Sequence, residues 1–126
     1  PGDEIITTSI TDFGTVIGIL YQNAVPVFAD IDPVSGNLDV NDVAAKITEY
    51  LKATDRNDKA HYLMGIVLKH RGDRRAQGYF RQALDFNPQN RDAQRELRLA
   101  DMRAKQSKEE PEAKGIAGFF NKLLKR

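Results

Sequence analysis

The chain has 126 residues, with 19 Lys and Arg against 18 Asp and Glu, 40% hydrophobic residues, and neither cysteine nor tryptophan. That length suits one modest domain of about 100–150 residues, and the lack of cysteine excludes a disulfide framework, thiolate catalysis and any cysteine-ligated metal. No run approaches the ~20 apolar residues of a membrane span, and the first residues lack a basic-then-apolar leader pattern, so a soluble, cytoplasmic protein is expected.

The near-neutral total hides an asymmetry. Residues 1–49 hold one cation, Lys46, against eight acids, a net charge of −7; residues 50–126 hold 18 cations and 10 acids, a net charge of +8. Such a sign change suggests two different pieces joined near Thr48–Leu51.

In the acidic piece, Glu4–Ser9 is rich in β-branched residues after a Pro1-Gly2-Asp3 turn and predicts a short buried strand. Asp12 suits the N-cap of a helix from Phe13 to Tyr21, ended by Asn23. Gly14 and Gly18, one turn apart, are expected to line the face that packs on a sheet. The apolar run Val25–Ile31 predicts a second strand, parallel to the first and covered on both faces. Asp39 or Asn41 then caps a short helix carrying Val43, Ala44, Ala45 and Ile47, completing a βαβα order.

Pro1-Gly2-Asp3-Glu4, the stretch Ala24 to Asp32, and Asn37-Leu38-Asp39 together resemble a slice of the DegT/DnrJ/EryC1/StrS family, over Pro1 to about Glu49. The resemblance implies an α/β segment of aminotransferase type from a pyridoxal-phosphate-dependent sugar aminotransferase. The family's activity needs a Schiff-base lysine, an aspartate on the pyridine nitrogen and a Gly-Thr/Ser phosphate cradle. None of those motifs occurs in the slice, and Asp12 stands where the family tends to place a stacking aromatic, with Phe13 beside it. No catalytic or cofactor-binding residue is therefore assigned, and pyridoxal phosphate is expected only if the rest of such a domain is supplied. Asp30-x-Asp32 fails the calcium-loop pattern at Val34, Ser35 and Asn41, so these acids are expected to cap a strand end and turn.

From Leu51 the pattern becomes helical. One helix carries Ala60, Tyr62, Leu63, Ile66, Val67 and Leu68 after Asn57-Asp58; a second carries Ala76, Tyr79, Phe80, Ala83, Leu84 and Phe86 and stops before Pro88; a third begins near Arg91. Met64-Gly65, Leu68, Gly72-Asp73, Ala76, Phe80, Ala83 and Pro88 resemble one tetratricopeptide repeat, an all-α hairpin with additional helices. Small Gly65 and Ala76 would sit where the two helices cross, beside Phe80 and Leu68. The Gly72-to-Ala76 interval is one residue short of the usual spacing, and His61 stands where a large aromatic is common. By position, the resemblance implies a peptide groove lined by Lys59, Tyr62, Ile66, Lys69 and His70; His61 and His70 are expected at the surface or in that groove, not as metal ligands. A single repeat cannot bury its hydrophobic face alone, so something must cover it, and self-association is expected.

The last stretch, 107–126, reads as a flexible linker and a C-terminal amphipathic helix, with Ile116, Phe119, Phe120, Leu123 and Leu124 at i, i+3, i+4, i+7 and i+8. That face is expected to fold back over the repeat, the alternative being a membrane surface or a partner's groove. Interspersed acids and the lack of a motif argue against nucleic-acid binding. The sequence thus leads to a mixed chain of three parts, 1–49, 50–106 and 107–126, acting as a non-catalytic protein–protein interaction module. The alternatives are a truncated or fused aminotransferase fragment, or an artificial chimera of the two.

Overall fold

In the computed structural model, residues 1–106 are described. Strand β1 (Glu4–Thr8) leads through helix α1 (Phe13–Tyr21) into strand β2 (Val25–Ala29), followed by helices α2 (Val40–Ala53), α3 (Asp58–His70) and α4 (Ala76–Phe86). Helical backbone over residues 91–106 forms α5. The chain is thus mixed, an α/β segment followed by helices. Residues Ile116, Phe119, Phe120, Leu123 and Leu124, expected to form an amphipathic face, lie outside the described residues.

β1 and β2 pair in parallel, Glu4 opposite Val25 and Thr8 opposite Ala29. The Val25 N–H donates to the Asp3 carbonyl at 2.9 Å. Alternation then turns the backbone of Pro26 to the outer edge, where its missing N–H leaves the ladder intact. The expected full burial of both strands is not met. The described sheet has two strands, both edges are open, and Ile5, Val25 and Phe28 are exposed. Apolar strands that suit a sheet interior here lack neighbours on either side.

Asp12 caps α1 by accepting from the Thr15 N–H at 3.1 Å. Asn23 takes a left-handed φ of 54° and redirects the chain into β2. Gly14 and Gly18 do not form the sheet-packing face. Both are exposed, and a Cβ at Gly18 would meet nothing within 4 Å. Ile19 is the buried side chain, with Val16 and Ile17 half-buried, because larger side chains gain more from leaving water than bare glycine does.

The Asp32 carboxylate accepts the Val34 and Ser35 N–H groups and shapes the turn after β2, as the sequence leads one to expect. The Asp30 N–H donates to Asp42 at 2.7 Å, and Asp39 caps α2. Helix α2 runs well beyond its expected short span and continues through Thr48–Leu51. Ala44, Ile47 and Leu51 explain this, since they prolong one stripe at i, i+3 and i+7. The change in charge character therefore falls inside a helix.

That stripe joins the two parts. Ile47 is only 5% exposed and shares a core with Met64, Leu68, Ala76 and Phe80, against which Ile6 of β1, Leu51 and Leu97 of α5 pack. Gly65 lies directly under Phe80: a Cβ there would meet the ring at 2.5 Å, so only glycine permits the α3–α4 approach. Gly72, with φ of 69°, makes the turn between these helices.

His61 is not at the surface. It is buried, its Nδ1 donates to the Asn57 carbonyl at 2.8 Å, and its ring lies 5.0 Å from Phe86 and 6.1 Å from Tyr79. It takes the space of the large aromatic that the hairpin expects there. Beside it runs a polar tie. The Asn87 and Asn90 amides both donate to Asp58 at 2.9 Å, and the Asn57 amide donates to the Tyr50 hydroxyl at 2.9 Å, linking α2, α3 and the α4–α5 connection. Partial burial pushes the Asp58 carboxyl upward, but the two amide donors together with the backbone N–H groups of Lys59 and Asp58 outweigh it and hold it below its ordinary value of 3.8.

Two outcomes are expected in urea melts. Gly65→Ala should lose about 1–3 kcal/mol by overpacking, and Phe80→Leu in the same chain should recover part of that loss. Asp58→Ala should lose about 1–2 kcal/mol at pH 7 by stranding two amide donors. Because the folded carboxyl titrates below the unfolded one, the stabilisation is present above the unfolded value of 3.8 and fades as the pH falls below it. The gap between wild type and Asp58→Ala should shrink accordingly in acid.

Candidate functional site

The five residues expected to line a groove lie on α3, but not all on an open surface. Lys59 and His70 are exposed near its two ends. Tyr62 and Ile66 are half-buried and pack against the shared core, with the Tyr62 ring 5.9 Å from that of Phe80. Lys69 Nζ donates to Glu96 of α5 at 2.7 Å. Burial pushes the Tyr62 hydroxyl above its ordinary value of 10.0, and the acids Asp92 and Glu96 of α5 push it further. Helix α5 therefore runs beside Tyr62 and Lys69.

The open space lies one step along. A groove of about 270 Å³ runs between the α3–α4 turn and α5, floored by Ala76, Phe80 and Ala100, with Lys69, Arg74 and Arg103 among its walls. Lys69 is the one residue common to this groove and to the expected set. Arg74 and Arg103 form no ion pair among the described residues. Asp73, by contrast, is occupied: the Arg75 guanidinium donates to it at 2.7 Å and holds its carboxyl down at about 2. An apolar floor beneath two unpaired guanidinium groups can accept an extended segment bearing both an apolar side chain and a carboxylate. Periodicity placed Arg103 on a helix, but nothing local signalled that α5 returns beside Gly72 and Ala76.

The acidic part presents different chemistry. Asp12, at the position where the resemblance implies a cofactor-stacking ring, spends its carboxylate on the α1 cap, and neighbouring Phe13 points into solvent. Lys46 lies 3.6 Å from Asp42 in an i, i+4 pair on α2, and Lys52 sits in the last turn of that helix. These residues do not assemble an anchor and charge partner around a common space, so they do not fit a pyridoxal phosphate site. Among the described residues no group of three or more His, Cys, Asp or Glu could hold a metal ion.

The electrostatics can be checked in two ways. Ultraviolet titration of the four tyrosines should show one component above the ordinary range, and Tyr62→Phe should remove it. A double-mutant cycle on Lys69→Ala and Glu96→Ala should give a coupling of at most about 1 kcal/mol, since the lysine is partly solvated.

The model of the DegT/DnrJ/EryC1/StrS aminotransferase family matches residues 1–54. A pleiotropic regulatory protein of Geobacillus stearothermophilus is 53% identical over 53 residues, which cover 42% of this chain and 14% of that protein. A putative L-glutamine:3-amino-2,3-dideoxy-scyllo-inosose aminotransferase of Streptomyces kanamyceticus is 49% identical over 51 residues, 40% of this chain and 12% of its own. A GDP-perosamine synthase of Caulobacter vibrioides is 42% identical over 53 residues, with coverages of 42% and 14%. No solved structure matches. The chain spans only 12–14% of the length of these curated relatives. What it shares with them lies in residues 1–54, which carry β1, α1, β2 and all of α2 and are similar to a fragment of the DegT/DnrJ/EryC1/StrS aminotransferase family.

Proposed function

We propose that residues 1–54 act as a structural piece of an aminotransferase-type domain, and that pyridoxal phosphate chemistry requires the remainder of such a domain. The family match over residues 1–54 carries this reading, together with 49% identity over 51 residues to a putative aminotransferase of Streptomyces kanamyceticus. The exposed Ile5, Val25 and Phe28 support it, since they are what a sheet shows when its neighbours are taken away. The capped Asp12 and the paired Lys46 support the absence of turnover by this chain alone. Aminotransferase activity, named for the Streptomyces kanamyceticus relative, comes to this chain only through a protein that completes the domain. Adding pyridoxal phosphate to the purified chain should leave its near-visible spectrum that of free cofactor. A bound-cofactor band lost in Lys46→Ala would refute the reading.

A second reading rests on Gly65 beneath Phe80. We infer that α3, α4 and α5 form a tetratricopeptide-like unit that binds a protein or peptide, using Lys59, Tyr62, Ile66, Lys69 and His70 together with the Arg74 and Arg103 rim. Buried Ala76 and Ala83 support the helical-repeat packing. The exposed Ile5, Val25 and Phe28 of β1 and β2 support homo-oligomerisation, readable as a molar mass above 14.2 kDa. Replacing Arg74 and Arg103 by Glu should weaken capture of an acidic peptide partner about tenfold or more. Unchanged capture would remove this groove from the reading.

A further inference from the structure

Of the twelve exposed large hydrophobic side chains among the described residues, eight fall within residues 1–34. Three of them sit on α1: Phe13, Leu20 and Tyr21 are 73%, 50% and 81% exposed. With half-buried Ile17 they recur at i, i+4, i+7 and i+8, an apolar stripe on the side away from Ile19. Gly18 opens onto empty space on the outside of the same helix. The nine residues of α1, Phe-Gly-Thr-Val-Ile-Gly-Ile-Leu-Tyr, include no charge at all. A helix apolar on every side belongs in an interior, not on a surface.

The same chain contains a segment of matching chemistry beyond the described residues. Ile116, Phe119, Phe120, Leu123 and Leu124 repeat over nine residues, the length of α1, and Lys122, Lys125 and Arg126 accompany them. Residues 115–126 carry three positive charges and no negative one, whereas residues 1–49 carry a net −7. Opposite charge favours this pairing over the α5 side of the molecule, where residues 91–106 hold five cations against the acids Asp92, Glu96 and Asp101, a net +2. Reach allows it. The nine residues 107–115 can span about 30 Å when extended, comparable with the ~35 Å diameter of a compact chain this size.

We propose that the segment Ile116–Leu124 docks along the outer face of α1, laying its apolar stripe over Phe13, Ile17, Leu20 and Tyr21 with its cations toward the acidic end of the chain. The occupant is the chain's own segment, not an external protein. Docking removes from water the apolar stripe that α1 leaves open, and it covers a face that the shared core does not reach. This inference does not depend on the cofactor or peptide-binding readings above.

The lack of cysteine permits a clean test. A nitroxide label on Asn121→Cys in the full chain should remove most of the intensity of the Ile17, Leu20 and Tyr21 amide signals, leaving Ala83 and Ala93 intact. The loss should disappear when Leu20→Lys and Tyr21→Lys are added. It should also disappear in Phe119→Ser with Phe120→Ser, which changes no described residue and so separates docking from folding. Loss confined to Ala100 and Arg103 would place the segment in the α5 groove and overturn the proposal. Loss nowhere among the described residues would overturn it too, leaving the segment to a lipid surface or another protein. Loss seen only when labelled and isotope-enriched chains are mixed would assign the docking to a second copy and overturn the in-chain arrangement.

Discussion

The join between the two parts of this structure depends on Ile47. It lies on α2, in the last third of the family-matched segment, yet its side chain is buried with Met64, Leu68, Ala76 and Phe80 of the helical part. One helix thus serves as the wall of two units: α2 packs on β2 with one side and on α3 with another. Ile6 of β1 and Leu97 of α5 reach the same cluster from opposite ends of the described chain. A charge reversal within a chain suggests two separable bodies, but buried apolar area ignores net charge, and here a single core spans the join.

The sharing is lopsided. The helical part encloses its core well, with Phe80 and Ala83 almost wholly buried and His61 hydrogen-bonded inside. The βαβ part contributes Ile6 to that core and otherwise buries little beyond Thr7, Ile19, Ala24 and Ala29. A two-stranded parallel sheet with one crossover helix is a fragment of a layered architecture that needs cover on both faces. Its similarity to only 12–14% of the length of the curated relatives gives the same picture from a different direction. Ile5, Val25 and Phe28 stay exposed on its two strands.

Polar groups do the positioning that apolar packing cannot. Asp58 gathers Asn87 and Asn90, and Asn57 caps α3 while its amide reaches Tyr50. These contacts hold the α2–α3 and α4–α5 connections side by side, so that α5 returns along α3 and brings Glu96 to Lys69. The groove between the α3–α4 turn and α5 exists because of that return, and its arginine rim is a consequence of where Arg74 and Arg103 end up rather than of any local motif.

The sequence by itself determined the elements and several of their ends. The cap Asp12, the starts at Asp39 or Asn41 and at Asn57-Asp58, the helix end at Asn23, the stop at Asn87-Pro88, and the small Gly65 beside Phe80 are readable because they rest on hydrogen bonds and contacts within a turn or one hairpin. Tertiary structure alone decided which faces were buried. Gly14 and Gly18 turned outward, His61 inward, and α2 ran on through the apparent junction because Leu51 had a core to join. Tyr62, Ile66 and Lys69 could be placed on one helix but not beside α5. The physical reason is that helix periodicity offers several faces of comparable apolarity, and only competition among all the elements for contact settles which of them leaves water.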